Sequence, residues 1–132
     1  MSDAHPHGNP IRVLLVDDHA MVRQGLRCAL EVYPAMEVVG EASDGIEALE
    51  CVAKVQPSVV VMDIVMPKMD GFEAVKKLRD NSQTRSVPIV MVTSKGEAES
   101  MEAGYENGCS DYILKPIDRL ELLAKVKNLL GE

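Results

Sequence analysis

The segment SVVVMDIVMPKMDGF, residues 58–72, decides how the rest of the chain reads. From Ser58 to Met62 it is short, apolar and β-branched, which predicts a strand buried on both faces. The run closes abruptly on an acid, Asp63. It then passes through a loop holding Pro67 and Gly71 into a helix expected from about Phe72 to Arg79. The same pattern recurs upstream, where IRVLLV, Ile11 to Val16, reads as a second buried strand and also ends in acids, Asp17 and Asp18.

Working outward, Ala20 to Leu30 places Met21, Gly25 and Ala29, then Val22, Leu26 and Leu30, at helical spacing and predicts a first helix. Glu37 to Ala42 is a weaker strand, followed by a helix over Gly45 to Ala53 with Ile46, Leu49, Val52 and Ala53 on one face. PIVMV, Pro88 to Val92, is a fourth strand ending in Thr93 and Ser94. Ala98, Met101 and Tyr105 give the next helix only a thin apolar stripe before Gly108 stops it. Tyr112 to Leu114 is a short fifth strand ending in Lys115 and Pro116. Asp118 and Glu121 then have the spacing of a capping pair ahead of Leu122, Leu123, Val126 and Leu129. Strand and helix thus alternate five times, which predicts an α/β fold: a doubly wound, five-stranded parallel sheet with helices on both faces. Residues 10–132 read as one domain and residues 1–9 as a flexible tail.

A net charge of −7 argues against direct nucleic-acid binding, which needs clustered Lys and Arg to displace counterions. Cys28, Cys51 and Cys109 form no C-x-x-C pair and read as buried free thiols in a reducing cytosol. The opening MSDAHPHGNP lacks a signal-peptide core, and no uncharged run approaches the ~18 residues that suggest a bilayer span, so the chain is expected to be soluble and cytoplasmic. His5 and His7 mark the tail rather than a metal site, and the eight methionines read as adaptable packing.

Four of the five strands end in polar residues, and in a parallel sheet those ends share one edge. If the strand order is 2-1-3-4-5, the order reverses between the first and third strands, which brings Asp17, Asp18 and Asp63 together. Crowded carboxylates need a cation, and an all-oxygen site suits a hard divalent ion such as Mg²⁺. Lys115 adds a compact positive charge and Thr93 a hydroxyl, an inventory that fits phosphoryl transfer to one of the carboxylates.

VLLVDDHAMVRQGL, VVVMDIVMPKMDGFEAVKKLR, VPIVMVTS and DYILKP, in this order and spacing, resemble response-regulator receiver domains of two-component systems, chemotaxis regulators among them, over residues 11 to 130. The resemblance implies a flavodoxin-like fold and a phosphorylation-activated switch that changes partner binding. It further implies that Asp63 is the phosphoacceptor, that Asp18 ligates Mg²⁺ directly with Asp17 assisting through water, and that the Val65 backbone carbonyl completes the protein ligands. Thr93, Ser94 and Lys115 would contact the phosphoryl group, and Tyr112 matches the switch aromatic that answers the Thr93 hydroxyl. The donor would be a histidine kinase or histidine phosphotransfer protein docking on the first helix. The output face would be the fourth helix, fifth strand and fifth helix, with homodimerisation on phosphorylation one form the output could take.

Simpler readings stand beside these. Asp17 or Asp18 alone could cap a helix and Tyr112 could be strand packing; His19 could join the site, but with no second His or Cys near it, it reads as an exposed helix-start histidine. An aspartyl-nucleophile phosphatase or a flavin-binding protein is a different class on a similar sheet. Against it, Asp63-Ile64-Val65 lacks a second acid two residues on, no Gly-rich loop follows the first strand, and one Phe with three Tyr leaves little to stack a flavin. A receiver-like scaffold that is never phosphorylated would be favoured by loss of an acid, Thr93 or Lys115, and none is lost. No enzymatic activity is expected beyond self-phosphorylation and slow self-dephosphorylation, with Val65 and Lys95 flanking the path of hydrolytic water. VDDHAMVRQGL looks like receivers joined to helix-turn-helix domains, whereas MPKMDGFEAVKKLR looks like chemotaxis-type or cyclase-linked receivers. The output stays open, and the chain reads equally as a stand-alone regulator or as a receiver excised from a longer protein.

Overall fold

Strands with no polar face to present must lie in the interior of a sheet, and three of the five do. The computed structural model describes residues 10–94 and 108–131. Within them lie β1 (Ile11–Val16), α1 (Ala20–Glu31), β2 (Met36–Ala42), α2 (Gly45–Val55), β3 (Val59–Asp63), α3 (Gly71–Asp80), β4 (Ile89–Thr93), β5 (Asp111–Leu114) and a C-terminal helix (Arg119–Leu129). The strands form one parallel sheet in the order β2-β1-β3-β4-β5, as expected, with β1 and β3 adjacent at its centre. The expected helix carrying Ala98, Met101 and Tyr105 lies outside the described residues, as do His5, His7 and Lys95.

Alternation along the strands divides the core in two. Leu14, Val60 and Met62 face α2 and α3, packing with Val52, Val75 and Leu78. Leu15, Val59 and Val61 face the other way, towards Leu30 of α1 and Leu122 and Val126 of the C-terminal helix. Three helices start on side-chain caps. Asp44 and Asp70 accept from the Glu47 and Glu73 amides at 2.9 Å, and Asp118 accepts from Leu120 at 2.9 Å and Glu121 at 3.4 Å.

The structure departs from expectation at several points. β3 runs one residue further and takes Asp63 into the strand, because the ladder continues through the Ile64 amide to the Val92 carbonyl at 3.2 Å. The apolar positions of α1 are not a buried face: only Leu30 is fully buried, and Met21 is 84% exposed. Polar contacts hold this helix instead. Arg23 Nε and Arg27 Nη2 reach Glu41 of β2 at 2.9 and 2.7 Å. The thiols also divide, with Cys28 exposed, Cys51 half-buried and Cys109 buried, its thiol pushed up to about 11 by burial and by Asp111. No described helix is long and apolar enough to cross a membrane.

Candidate functional site

Register places the chemistry. Val16 pairs with Met62 and Asp63 with Val92, so the carboxyl ends of β1, β3 and β4 meet at one edge of the sheet. Asp17, 4% exposed, continues β1 by donating its amide to the Ala42 carbonyl at 3.0 Å, and the Arg23 guanidinium donates to its own carbonyl. Asp63 is 2% exposed at the end of β3. Behind it the chain doubles back: the Gly71 amide donates to the Ile64 carbonyl at 2.8 Å, and a Cβ on Gly71 would stand 2.6 Å from the Asp63 carbonyl oxygen. Only glycine fits that approach without displacing the main chain.

Lys115 comes to the same place from β5. Its amide donates to the Thr93 carbonyl at 2.6 Å, and its ammonium lies 3.2 Å from Asp63 Oδ2. Thr93 is fully buried at the end of β4, its hydroxyl 3.3 Å from the carbonyl of half-buried Ser94. The edge therefore brings together Asp17, Asp18, Asp63 and Lys115. It sets Thr93 and Ser94 at the end of the adjoining strand.

The electrostatics are unbalanced. Burial pushes the Asp63 carboxyl above the ordinary carboxylate range, Lys115 opposes this, Asp17 pushes it further up, and the Val65 backbone amide adds a smaller downward pull. Asp63 Oδ1 and Asp18 Oδ1 are buried without a hydrogen-bond partner. Asp17, Asp18, His19 and Asp63 each offer a ligand atom, all within 4.8 Å of one another. Carboxylates turned inward with unsatisfied oxygens suit a hard divalent cation, and these residues could hold Mg²⁺.

Other expected residues stand nearby with different surroundings. Val65 lies in the loop after β3, 60% exposed, with its amide facing the Asp63 carboxylate. Tyr112 is half-buried against the α2/α3 side of the core, and Lys125 Nζ lies 5.0 Å from its ring centroid while donating to its carbonyl at 2.6 Å. Neither Asp17 nor Asp18 caps α1: the N-cap is His19, which makes no side-chain cap bond. His19 is instead drawn to the acids, with Nδ1 3.1 Å from Asp17 Oδ1, an approach its sequence neighbours do not reveal. The exposed apolar residues of α1 border an open groove of about 370 Å³ that runs from Met21, Val22 and Leu26 to Pro116, Ile117 and Leu122.

With this geometry in view, comparisons with known proteins are informative. The family model described as the response regulator receiver domain matches residues 13–127. The chain is 41% identical to the transcriptional regulatory protein LiaR of Bacillus subtilis over 118 residues, 89% of this chain and 54% of that one. The crystal structure of the response regulator domain of Thermotoga maritima CheB matches with a TM-score of 0.82 at 38% identity, covering 94% of this chain and 98% of that one. The receiver domain of sensor histidine kinase PA1611 from Pseudomonas aeruginosa, described with a magnesium ion coordinated in its active site cleft, matches with a TM-score of 0.83 at 26% identity, covering 93% and 99%. The chain spans between 32% and 54% of the length of the curated relatives compared.

Proposed function

The chain belongs to the response regulator receiver family of two-component systems, and from that premise we propose that it is a phosphorylation-driven switch whose phosphoacceptor is Asp63. One observation carries the reading. The Asp63 carboxylate is 2% exposed, with Lys115 on one oxygen and no hydrogen-bond partner on the other, beside two further acids. A buried anion so poorly paired is unfavourable for stability and marks a reactive group.

The carboxylate of Asp63 attacks phosphorus. Its O–P bond forms as the N–P bond of a donor phosphohistidine breaks, and the bonding electron pair leaves with the imidazole. Lys115, already 3.2 Å from Asp63 Oδ2, offsets charge on the transferring oxygens, and Thr93 and Ser94 donate hydrogen bonds to them. Asp18, Asp63 and the Val65 carbonyl would hold Mg²⁺ directly and Asp17 through water; when bound, it neutralises the crowded carboxylates and the incoming phosphoryl oxygens.

The donor, a kinase or phosphotransfer protein in the cytoplasm, docks on α1, where Met21 and Val22 open an apolar groove leading to Pro116, next to Lys115. The Thr93 hydroxyl then turns to the phosphoryl group and Tyr112 turns inward. This alters the face formed by β5 and the C-terminal helix for an effector or a second copy. Residues 10–132 act as the receiver and residues 1–9 as a tail. The domain accepts a phosphoryl group and releases it by slow hydrolysis, past Val65, without acting on another substrate.

Intact-mass spectrometry after incubation with acetyl phosphate tests the reading. The wild type is expected to gain one phosphoryl adduct only when Mg²⁺ is present, and Asp63→Asn none. An adduct on Asp63→Asn, or one formed equally well in chelator, would overturn it.

A further inference from the structure

We propose that His19 is a nitrogen ligand of the acidic site and tunes which cation it holds, favouring transition ions such as Co²⁺ over Mg²⁺. The proposal rests on the cation-site reading given above.

Among the described residues the His19 ring makes its contacts with Asp17 and Asp18. It stands at the N-cap of α1 but makes no cap bond, and its side chain is 66% exposed. Its base is fixed, because the His19 amide donates to Asp17 Oδ1 at 2.8 Å. From there Nδ1 lies 3.1 Å from Asp17 Oδ1 and 3.1 Å from Asp18 Oδ1. These two contacts differ in kind. The one to Asp17 is a hydrogen bond, whereas Asp18 Oδ1 is buried and has no hydrogen-bond partner despite the close nitrogen.

Asp63, 2% exposed, has a second buried oxygen without a hydrogen-bond partner, Oδ1, and offers a carboxylate oxygen within 4.8 Å of the ligand atoms of Asp17, Asp18 and His19. Two carboxylates with unsatisfied oxygens and an imidazole thus lie within 4.8 Å of one another, and the ring gives an electron pair to a shared cation once Nδ1 passes its proton to Nε2 and gives up its hydrogen bond to Asp17. The 3.1 Å between His19 Nδ1 and Asp18 Oδ1 agrees with the roughly 3.0 Å between adjacent ligands of an octahedral ion with bonds of about 2.1 Å.

Imidazole changes the preference of such a site in a defined direction. Mg²⁺ binds oxygen and gains little from nitrogen, whereas affinity for nitrogen donors rises along the first transition row from Mn²⁺ to Cu²⁺. A site of acids alone discriminates weakly between Mg²⁺ and Co²⁺, and adding His19 separates them.

Titration calorimetry with Mg²⁺ and with Co²⁺ tests this on the full chain carrying His5→Ala and His7→Ala, which removes the tail imidazoles as competing ligands. In that background His19→Ala is expected to weaken Co²⁺ binding about tenfold while moving Mg²⁺ binding less than about twofold. His19→Gln, which keeps a polar side chain without the ring, is expected to do the same, and thermal unfolding checks that both variants fold. The Co²⁺-loaded protein should show one strongly shifted imidazole N–H proton by NMR, lost in His19→Ala. Equal changes for the two ions, no change for Co²⁺, or persistence of the shifted proton would overturn the proposal. Asp18→Asn and Asp63→Asn separate the two levels of the argument. If they weaken Mg²⁺ while His19→Ala spares Co²⁺, only the role of His19 falls; if neither weakens Mg²⁺, the cation-site reading falls with it.

Discussion

Asp63 is held against its own solvation, and its stability effect has a definite sign. Burial, reinforced by Asp17 and opposed by Lys115, raises its folded pKa above the unfolded value. The native state therefore binds the proton more tightly. The resulting penalty is fully present above the folded pKa and disappears as pH falls below the unfolded one. Asp63→Asn removes the charge, and Lys115, whose side chain is 37% exposed, can turn to solvent. In chelator at pH 7 the variant is expected to melt several degrees above the wild type, given roughly 3–5 °C per kcal/mol for a chain of this size. The gap should close as pH falls through the carboxylate range, and thermal melts across that range check it; equal midpoints at pH 7 would contradict it. Asp17, Asp18 and Asp63 are legible in the sequence because each ends or follows a β-branched apolar run. The reach of His19 to the acids is not, since it depends on a ring orientation that spacing does not specify.

Among the elements, α1 owes its position to charge more than to burial. Glu41 receives Arg23 Nε at 2.9 Å and Arg27 Nε at 2.8 Å, while Leu30 alone of the helix is fully buried. Burial works against the Glu41 charge, but hydrogen bonds from Arg27 and Arg23 outweigh it and hold the carboxyl below its usual value. The tether is therefore complete above the unfolded carboxylate pKa and is lost as pH falls through the folded one. All three side chains are partly solvated, so Glu41→Gln is expected to destabilise the fold by only about 0.5–1 kcal/mol. Its local effect should be larger, because Glu41 holds both Arg23 and Arg27 of the helix: amide exchange should quicken across α1 and stay unchanged in α2, and the wild type should approach the variant below about pH 4. Unchanged exchange in α1 would refute the tether. Periodicity makes the helix itself legible but says nothing about whether its apolar side meets a core. The Arg23–Glu41 pair, 18 residues apart, appears only once α1 lies beside β2. The C-terminal helix is the opposite case, since the Asp118–Glu121 spacing announces the cap that the structure contains.

At the scale of the whole molecule, topology turns separate sequence signals into one site. The order β2-β1-β3-β4-β5 is one of those that buried parallel strands and right-handed crossovers allow, and it is the reversal at β1 and β3 that brings Asp17 and Asp18 to Asp63, 45 or more positions away. The same topology does not name the output partner, and the match covers only 32% and 54% of two curated relatives. Gathering those acids, with buried oxygens left unpartnered on Asp18 and Asp63, opposes folding, so a cation that offsets their charge should stabilise the native state. Binding to the native state alone adds about 1.4 kcal/mol for each tenfold rise in free Mg²⁺ beyond the dissociation constant, so the melting temperature should climb linearly with the logarithm of Mg²⁺ concentration. Asp63→Asn, which begins more stable in chelator, should show a flatter line, so that the two cross as Mg²⁺ rises. Calorimetric melts over a Mg²⁺ series check this. Parallel lines would place the cation away from Asp63, whereas a crossing would mean that the charge destabilising the unliganded domain is the one that binds its metal.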